Sequence, residues 1–343
     1  MRRYLPILLM AFFLLVIVLV GTTYLEGFAG RTKKENSNSL TVYTSLPVEQ
    51  AALLAEQFEK SSTIQVNLVP VSEQELIVRL KNESNTPRAD VIVTSKSILQ
   101  QAGKLNLLEP FASEQTDIIP SRFKDEQDSW TGLWFDPVIF AVNQDYLKKT
   151  PQIPESWAAL STDPKTRLAM TDFLAADAAA NILYTFASIN GEEQTLLFFK
   201  KLHPQIIQYA KFLSTPVRMA GMGECDIAIA VQSETLRYIQ EGFPLQVIYP
   251  EEGTSYMLTG SALVKNASRK TEAQQFIDWL LQSEAQQTLD KNRFYFVPTN
   301  PEIKKYKDYK QKTIMLFEKE FQFTTEQQHK LLDNWVQTVR LGK

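Results

Sequence analysis

The sequence contains few of the residues on which most enzymes and metal proteins rely. One cysteine, Cys225, and two histidines, His203 and His329, occur among 343 residues. A single cysteine excludes an intramolecular disulfide, and the lack of cysteine or histidine clusters argues against zinc and other soft-metal sites. Both histidines fall in predicted surface helices, distant from the polar turns described below. We therefore expect neither histidine to act in acid–base catalysis.

Common catalytic and cofactor-binding motifs are also missing. The chain has no HExxH, P-loop, G-x-S-x-G or glycine-rich dinucleotide fingerprint. The formal net charge of −3 at pH 7 argues against nucleic acid as a partner. We predict no catalytic residue, no metal and no cofactor, and a function other than that of an enzyme. An extracytoplasmic hydrolase or transferase is kept as an alternative.

A long apolar run opens the chain. Leu5 to Leu25 contains no charged residue and follows two arginines, an arrangement that keeps the positive end in the cytoplasm and exports the remainder. Residues 1–30 are therefore predicted to be a membrane anchor or a signal peptide, with Gly27-Phe28-Ala29 as a possible cleavage site. Residues 31–39 are predicted to form a polar linker. The rest is expected to be extracytoplasmic, in the periplasm or at the outer face of the cytoplasmic membrane.

Two segments far apart in the chain share one plan. Ala89 to Ser95, ADVIVTS, and Cys225 to Ser233, CDIAIAVQS, each place an aspartate before an alternating apolar run that ends in polar residues. Each run is typical of a buried strand in a parallel sheet. Each continues into a helical segment that ends at a glycine, Gly103 or Gly242. The two similar units predict two similar α/β lobes.

Polar residues follow four predicted strands, at the turn where each strand passes into a helix. In open α/β sheets such turns, together with the helix N-termini, face the ligand. If two lobes face each other, the four turns line one cleft that suits a small polar or anionic solute; the alternative for each turn is an ordinary helix cap. An aromatic residue near a predicted passage between the lobes is also expected to reach the ligand. The candidate ligand-binding residues are Ser45, Thr94, Ser95, Thr171, Asp172, Ser233, Glu234 and Tyr256.

The order of these segments resembles that of a known family. GECDIAIA at Gly223 to Ala230 and AQQFIDWLLQSEAQ at Ala273 to Gln286 are the most specific pieces, within a similarity that runs from Leu40 to Pro298. On these residues the chain resembles the bacterial extracellular solute-binding proteins of ABC importers, and it is most similar to the ferric-iron-binding-protein-like group.

The resemblance implies a type II periplasmic-binding-protein fold, in which two α/β lobes joined by two extended crossovers close over a ligand. Closure would be a hinge motion near Pro137 and Thr259. We assign residues 40–137 and 259–343 to lobe 1, with a C-terminal helical appendage, and residues 138–258 to lobe 2. The resemblance also implies a monomer that delivers its solute to an ABC permease in the membrane.

The residues after the CDIAIA strand distinguish this chain from the ferric-binding members of that group. Those members carry adjacent tyrosines at this place, whereas this chain has Gln232, Ser233 and Glu234. The resemblance therefore favours a small polar solute, such as an organophosphate or a phosphonate, over ferric iron. Ferric iron stays open as an alternative ligand, and a membrane-tethered ligand sensor of a signalling system stays open as an alternative role.

Overall fold

The computed structural model describes residues 39–150, 153–312, 314–317 and 323–342. The predicted anchor or signal peptide at residues 1–30 lies outside the described residues, as does nearly all of the predicted linker. In the described ranges no helix is both long enough and apolar enough to span a bilayer.

Within the described ranges the chain alternates strands and helices. The strands are β1 (Ser39–Thr44), β2 (Gln65–Pro70), β3 (Val91–Ser95), β4 (Leu108–Glu109), β5 (Thr131–Asn143), β6 (Leu168–Thr171), β7 (Ile206–Ala210), β8 (Ile227–Val231), β9 (Leu245–Ile248), β10 (Tyr256–Val264) and β11 (Val297–Pro298). The helices are α1 (Val48–Ser61), α2 (Glu73–Asn82), α3 (Lys96–Lys104), α4 (Glu114–Asp117), α5 (Gln144–Leu147), α6 (Trp157–Leu160), α7 (Asp177–Asn190), α8 (Glu192–Leu202), α9 (Ser214–Gly221), α10 (Gln232–Gln240), α11 (Lys270–Leu280), α12 (Ser283–Lys291), α13 (Lys304–Gln311) and α14 (Thr325–Trp335). Short 3-10 turns lie at Ser121–Phe123 and His203–Gln205, and a π-helical turn lies at Val336–Arg340.

The sheet runs in the order β2-β1-β3-β10-β5-β8-β6-β7, with β9 and β11 also paired to β5 and β4 paired to β10. Strands β1 and β3 are parallel, as are β8, β6 and β7, whereas β10 and β5 run antiparallel to their neighbours. We call the β2-β1-β3-β10 side with its helices lobe 1 and the β8-β6-β7 side with its helices lobe 2.

Strand β5 belongs to both lobes. Its first half pairs with β10 and its second half with β8 and β9. All thirteen of its residues are buried. Its apolar runs, Leu133-Trp134-Phe135 and Val138 to Val142, are typical of a strand that is covered on both faces. The single long strand is therefore one of the connections between the lobes.

Each lobe has its own apolar core. In lobe 1, α1 contributes Leu54 and Phe58 at helical spacing, and the Phe58 ring lies 4.9 Å from that of Phe276 in an edge-to-face contact. In lobe 2, the Trp157 ring makes edge-to-face contacts with Phe140 and Phe186, each at 4.9 Å between centroids. These packed cores hold the strand ends, and so the polar turns, in fixed positions.

The C-terminal helices differ from the predicted lobe assignment. Helix α13 packs on lobe 1, but α14 and the π-helical turn pack in the core of lobe 2, where the Trp335 ring lies 4.7 Å from that of Phe173. Leu331, Trp335 and Val339 recur every four residues, so they form one buried stripe that the lobe 2 core accepts. Residues 325–340 thus lie on lobe 2, whereas the sequence placed the whole of 259–343 on lobe 1.

Three backbone segments lie side by side where the lobes meet. Val138 donates its N–H to the Ser255 carbonyl at 2.9 Å, and the Thr254 hydroxyl donates to the Val138 carbonyl at 2.7 Å. On its other side Thr254 donates its N–H to the Met315 carbonyl at 3.0 Å and accepts from Phe317 N–H at 2.9 Å. The family resemblance implied two crossovers. The segment at 314–317 adds a third backbone segment to this junction.

Candidate ligand-binding cleft

Three predicted site residues of lobe 1 lie together at the ends of neighbouring strands. The parallel pairing of β1 and β3 sets Thr44 opposite Val93, so the residues that follow these strands are adjacent. The hydroxyl oxygens of Ser45 and Thr94 are 2.7 Å apart, and that of Ser95 lies 2.9 Å from the Ser97 hydroxyl. This edge of lobe 1 therefore carries a row of hydroxyl groups beside the start of α3, in which Ser45 and Ser95 are partly exposed and Thr94 is buried.

Glu73, which the sequence analysis missed, joins this row. It is the first residue of α2, and its carboxylate accepts a long hydrogen bond from the Ser45 hydroxyl at 3.5 Å. Burial raises the pKa of Glu73, and the negative charge of Asp177 raises it further, while hydrogen bonds from Ser95 and Ser45 oppose the shift. The sequence signal that could have pointed to Glu73 is a helix start next to a polar strand end. Ser72 marks this start, because it caps α2 by accepting a hydrogen bond from Glu75 N–H.

Asp177 carries this arrangement across to lobe 2. It opens α7, and its negative charge contributes to the raised pKa of Glu73. A second link is a hydrogen bond of 2.9 Å from the Asn181 side-chain amide to the Tyr256 carbonyl. The start of α7 therefore faces the hydroxyl row of lobe 1.

The side chains of two predicted site residues of lobe 2, Thr171 and Asp172, form hydrogen bonds within the protein. The Thr171 side chain is 4% exposed, and its hydroxyl donates to the Phe212 carbonyl at 3.4 Å. The Asp172 carboxylate accepts from Arg340 at 2.6 Å and from Leu174 N–H at 2.9 Å. The structure thus places Thr171 and Asp172 as supports for the turn that they occupy.

Ser233 also forms its hydrogen bonds within the protein. Its backbone N–H and its hydroxyl both donate to the carboxylate of Asp136, at 2.9 and 2.5 Å. Asp136 lies on β5 and is 7% exposed. Burial raises the pKa of Asp136 to about 7, because loss of water outweighs the two hydrogen bonds from Ser233. The N–H group of Ser233 at the start of α10 therefore already binds a carboxylate of the protein itself.

Glu234 lines an open cavity of about 400 Å³ formed by the segments that follow β6, β7 and β8 of lobe 2. Burial raises the pKa of Glu234, and the ion pair that it forms with Arg237 at 2.6 Å opposes that shift. Arg237, Lys211 and Ser214 at the start of α9 line the same cavity. The sequence analysis did not select them, although Arg237 stands one helical turn after Glu234. Ala176 also lines the cavity and is followed directly by Asp177.

Tyr256 lies at the junction of the lobes. Its half-buried ring makes edge-to-face contacts with Phe123 and Phe135, at 6.1 and 5.9 Å between centroids, and the Arg122 guanidinium lies 5.9 Å from its centre. These contacts give the Tyr256 ring a packing role. Its carbonyl, not its ring, makes the contact with lobe 2 described above.

The described part of the chain brings together no group of three or more histidine, cysteine, aspartate or glutamate side chains able to hold a metal ion. Its only described cysteine, Cys225, is buried, and burial raises the pKa of that thiol to about 12.

Comparison with known proteins places this geometry in a family. The family model described as bacterial extracellular solute-binding protein matches residues 54–316. An uncharacterised protein of Haemophilus influenzae is 28% identical over 89% of this chain and 91% of its own length. A putative 2-aminoethylphosphonate-binding periplasmic protein of Salmonella typhimurium is 25% identical over 67% of this chain and 68% of its own.

Solved structures share the fold. The periplasmic binding protein AfuA from Actinobacillus pleuropneumoniae, with fructose-6-phosphate bound, matches with a TM-score of 0.70 and 27% identity over 89% of this chain and all of its own. The ferric binding protein from Campylobacter jejuni matches with a TM-score of 0.65 and 22% identity over 88% of this chain and 98% of its own. The second likeness is one of fold alone.

Proposed function

The chain belongs to the bacterial extracellular solute-binding proteins, and on that premise we propose that it captures a small phosphorylated or phosphonylated solute between its two lobes. It then delivers this solute to the permease of an ABC importer. The family, which covers residues 54–316, is one of binding proteins, so the solute is released unchanged. The lobes are joined near Pro137 and Tyr256, and the hinge motion that closes the cleft would take place there.

The observation that carries the ligand class is the positive wall of lobe 2. The Lys211 ammonium lies 5.6 Å from the centre of the Phe212 ring and forms no ion pair within the described residues. Arg237 shares its charge with Glu234, and the N-terminus of α9 adds a partial positive charge at the same cavity. Together these groups suit a phosphate or phosphonate oxygen, with the lobe 1 hydroxyls as further donors.

Relatives support the same class of ligand. The AfuA structure holds a sugar phosphate, and the Salmonella relative is described as a phosphonate-binding protein. Both ligands combine a tetrahedral anion with a small polar body. A cavity of about 400 Å³ suits a molecule of that size.

The test is calorimetric titration of the full chain, purified in detergent, with inorganic phosphate, fructose-6-phosphate, 2-aminoethylphosphonate and a ferric salt. We expect binding of at least one phosphorus compound, recovered unaltered, and a loss of about 10-fold or more in Lys211→Gln because a charged hydrogen bond disappears. Lys201→Gln, an exposed residue of α8 in the same lobe, is the matched control. Binding of ferric iron with no phosphorus compound bound would show the proposal to be wrong.

We also propose that Leu5 to Leu25 remains attached and anchors a monomer at the outer face of the cytoplasmic membrane. The absence of charge across this run, and the arginines before it, support an anchor. Intact mass of the membrane-extracted protein and light scattering of it in detergent test both parts. A mass that lacks residues 1–29 would show cleavage instead.

A further inference from the structure

Phe212 differs from every other aromatic residue that the structure describes. It is 62% exposed, whereas the other phenylalanine, tyrosine and tryptophan residues in the described ranges are buried or half-buried. Contact of a large apolar ring with water is unfavourable, and phenylalanine is among the residues most often buried. Phe212 also lines the cavity of about 400 Å³ that Lys211 and Arg237 line. An exposed ring inside a ligand cavity offers an apolar surface that a ligand can cover.

The backbone of Phe212 is held from two sides. Its carbonyl oxygen accepts a hydrogen bond from the Thr171 hydroxyl at 3.4 Å and another from the Thr215 N–H at 3.2 Å. The first bond ties the segment to the end of β6, and the second belongs to the first turn of α9. The ring is therefore carried by a fixed turn, and a ligand that packs on it does not first have to order a loop.

Positive charge lies next to the ring. The Lys211 ammonium is 5.6 Å from the ring centre, and Arg237 and the first residue of α9, Ser214, line the same cavity. A phosphate oxygen bound by the ammonium would lie roughly 3 Å from it. The part of the ligand that is attached to the phosphate can therefore reach the Phe212 ring.

Glu234 adds an acceptor to the same cavity. Arg237 pairs with its Oε2 at 2.6 Å. A carboxylate accepts hydrogen bonds through two oxygens, so Glu234 keeps acceptor capacity beside this ion pair. The cavity thus combines cations, an apolar ring and an acceptor. A sugar phosphate carries the three matching groups, namely a tetrahedral anion, a ring face made of C–H groups and several hydroxyl donors. 2-Aminoethylphosphonate has no ring face, and inorganic phosphate has no organic body at all.

We propose that Phe212 is a specificity-determining residue that selects, among phosphorus-containing anions, sugar phosphates in their ring form. The C–H face of the sugar packs on the Phe212 ring, whose face carries partial negative charge. The Lys211 side of the cavity holds the phosphate, and Glu234 accepts hydrogen bonds from sugar hydroxyls. This inference rests on the proposed function, because it assumes that the cavity binds a phosphorylated solute.

The test compares two phosphate esters that both carry hydroxyl groups but differ in the ring. The full chain in detergent is titrated with fructose-6-phosphate, which has a ring form, and with glycerol-3-phosphate, which has none. We expect fructose-6-phosphate to bind about 10-fold tighter or more, the size of an aromatic packing contact. Phe212→Ala should remove most of that ratio. Phe212→Tyr should keep it, because the ring is retained.

Leu197→Ala is the matched control. Leu197 is an exposed apolar residue of α8 in the same lobe, and it does not line the cavity. This variant should leave the ratio unchanged, and thermal melting of each variant checks that it is folded.

The outcomes separate this inference from the proposed function. Equal binding of the two esters by the unaltered chain overturns the role of Phe212 and leaves the proposed function intact. So does a preference for fructose-6-phosphate that survives in Phe212→Ala, and so does tighter binding of 2-aminoethylphosphonate than of fructose-6-phosphate. Binding of no phosphorus compound overturns the proposed function itself.

Discussion

Replacing Asp136 by asparagine should change how stability depends on pH. Asp136 is buried on the strand that both lobes share, and it accepts two hydrogen bonds from Ser233. Burial raises the pKa of this carboxyl from 3.8 to about 7. The native protein therefore holds a proton at this site that the unfolded chain has already lost between about pH 4 and pH 7.

The sign and size of the effect follow from that difference. Where the native state binds more protons than the unfolded state, the free energy of unfolding falls as pH rises. A shift of about 3 units, at 1.36 kcal/mol for each unit, gives a loss of about 4 kcal/mol by pH 7, and no further loss above it. Asparagine does not titrate, yet its carbonyl oxygen accepts from Ser233 N–H in the same way. Asp136→Asn should therefore gain stability relative to the unaltered protein as pH rises.

The assay is urea unfolding of both proteins, as full chains in detergent, at pH 5, 6, 7 and 8. We expect the difference in unfolding free energy to move in favour of Asp136→Asn by about 3 kcal/mol between pH 5 and pH 8, because about two of the three pKa units fall in this range. Asp308→Asn, on the exposed face of α13, is the control for the same change of side chain outside the core. A constant difference for Asp136→Asn across this range would refute the idea that the buried carboxylate is held against its charged form.

Two further substitutions test the supports of the cleft. Arg340→Gln removes the partly exposed ion pair with Asp172 and should lower the free energy of unfolding by about 1 kcal/mol or less. The melting temperature should fall, and the fall should be smaller in high salt. A fall that does not depend on salt would contradict an electrostatic role. Gly260→Ala places a methyl group 2.6 Å from the Thr131 carbonyl oxygen and 2.7 Å from the Leu99 side chain. The free energy of unfolding, measured by thermal melting, should fall by about 1–3 kcal/mol. An unchanged melting temperature would show that β10 can shift to accept the methyl group.

Short apolar strands were the easiest part of the fold to predict. ADVIVTS and CDIAIAVQS form β3 and β8, with their helices starting where the polar residues begin. The sequence analysis divided the lobes at Pro137, and β5 runs through this residue as one strand although proline is disfavoured inside a sheet. In the structure Pro137 sits where β5 changes partners, from β10 to β8. A missing N–H is tolerated at that place.

Side-chain direction was the part of the site that the sequence could not supply. The hydroxyl turn of Ser45, Thr94 and Ser95 came together because parallel pairing of neighbouring strands is itself predictable. Ser233 instead bonds to Asp136, 97 positions away, and Asp172 bonds to a residue 168 positions away. The first pair meets through the pairing of β5 with β8, and the second through the docking of residues 325–340 on lobe 2, so no local pattern specifies either.

The third segment at the lobe junction limits how the lobes can move. Two crossing strands can bend, and they can also slide or twist about each other. The segment at 314–317, hydrogen-bonded on the far side of Thr254, resists sliding, because a slip would break the bonds on both sides of Thr254. We therefore expect opening and closing to be mainly a bend about an axis that crosses all three segments. A permease that docks on both lobes would need to sense only that one angle to distinguish a loaded protein from an empty one.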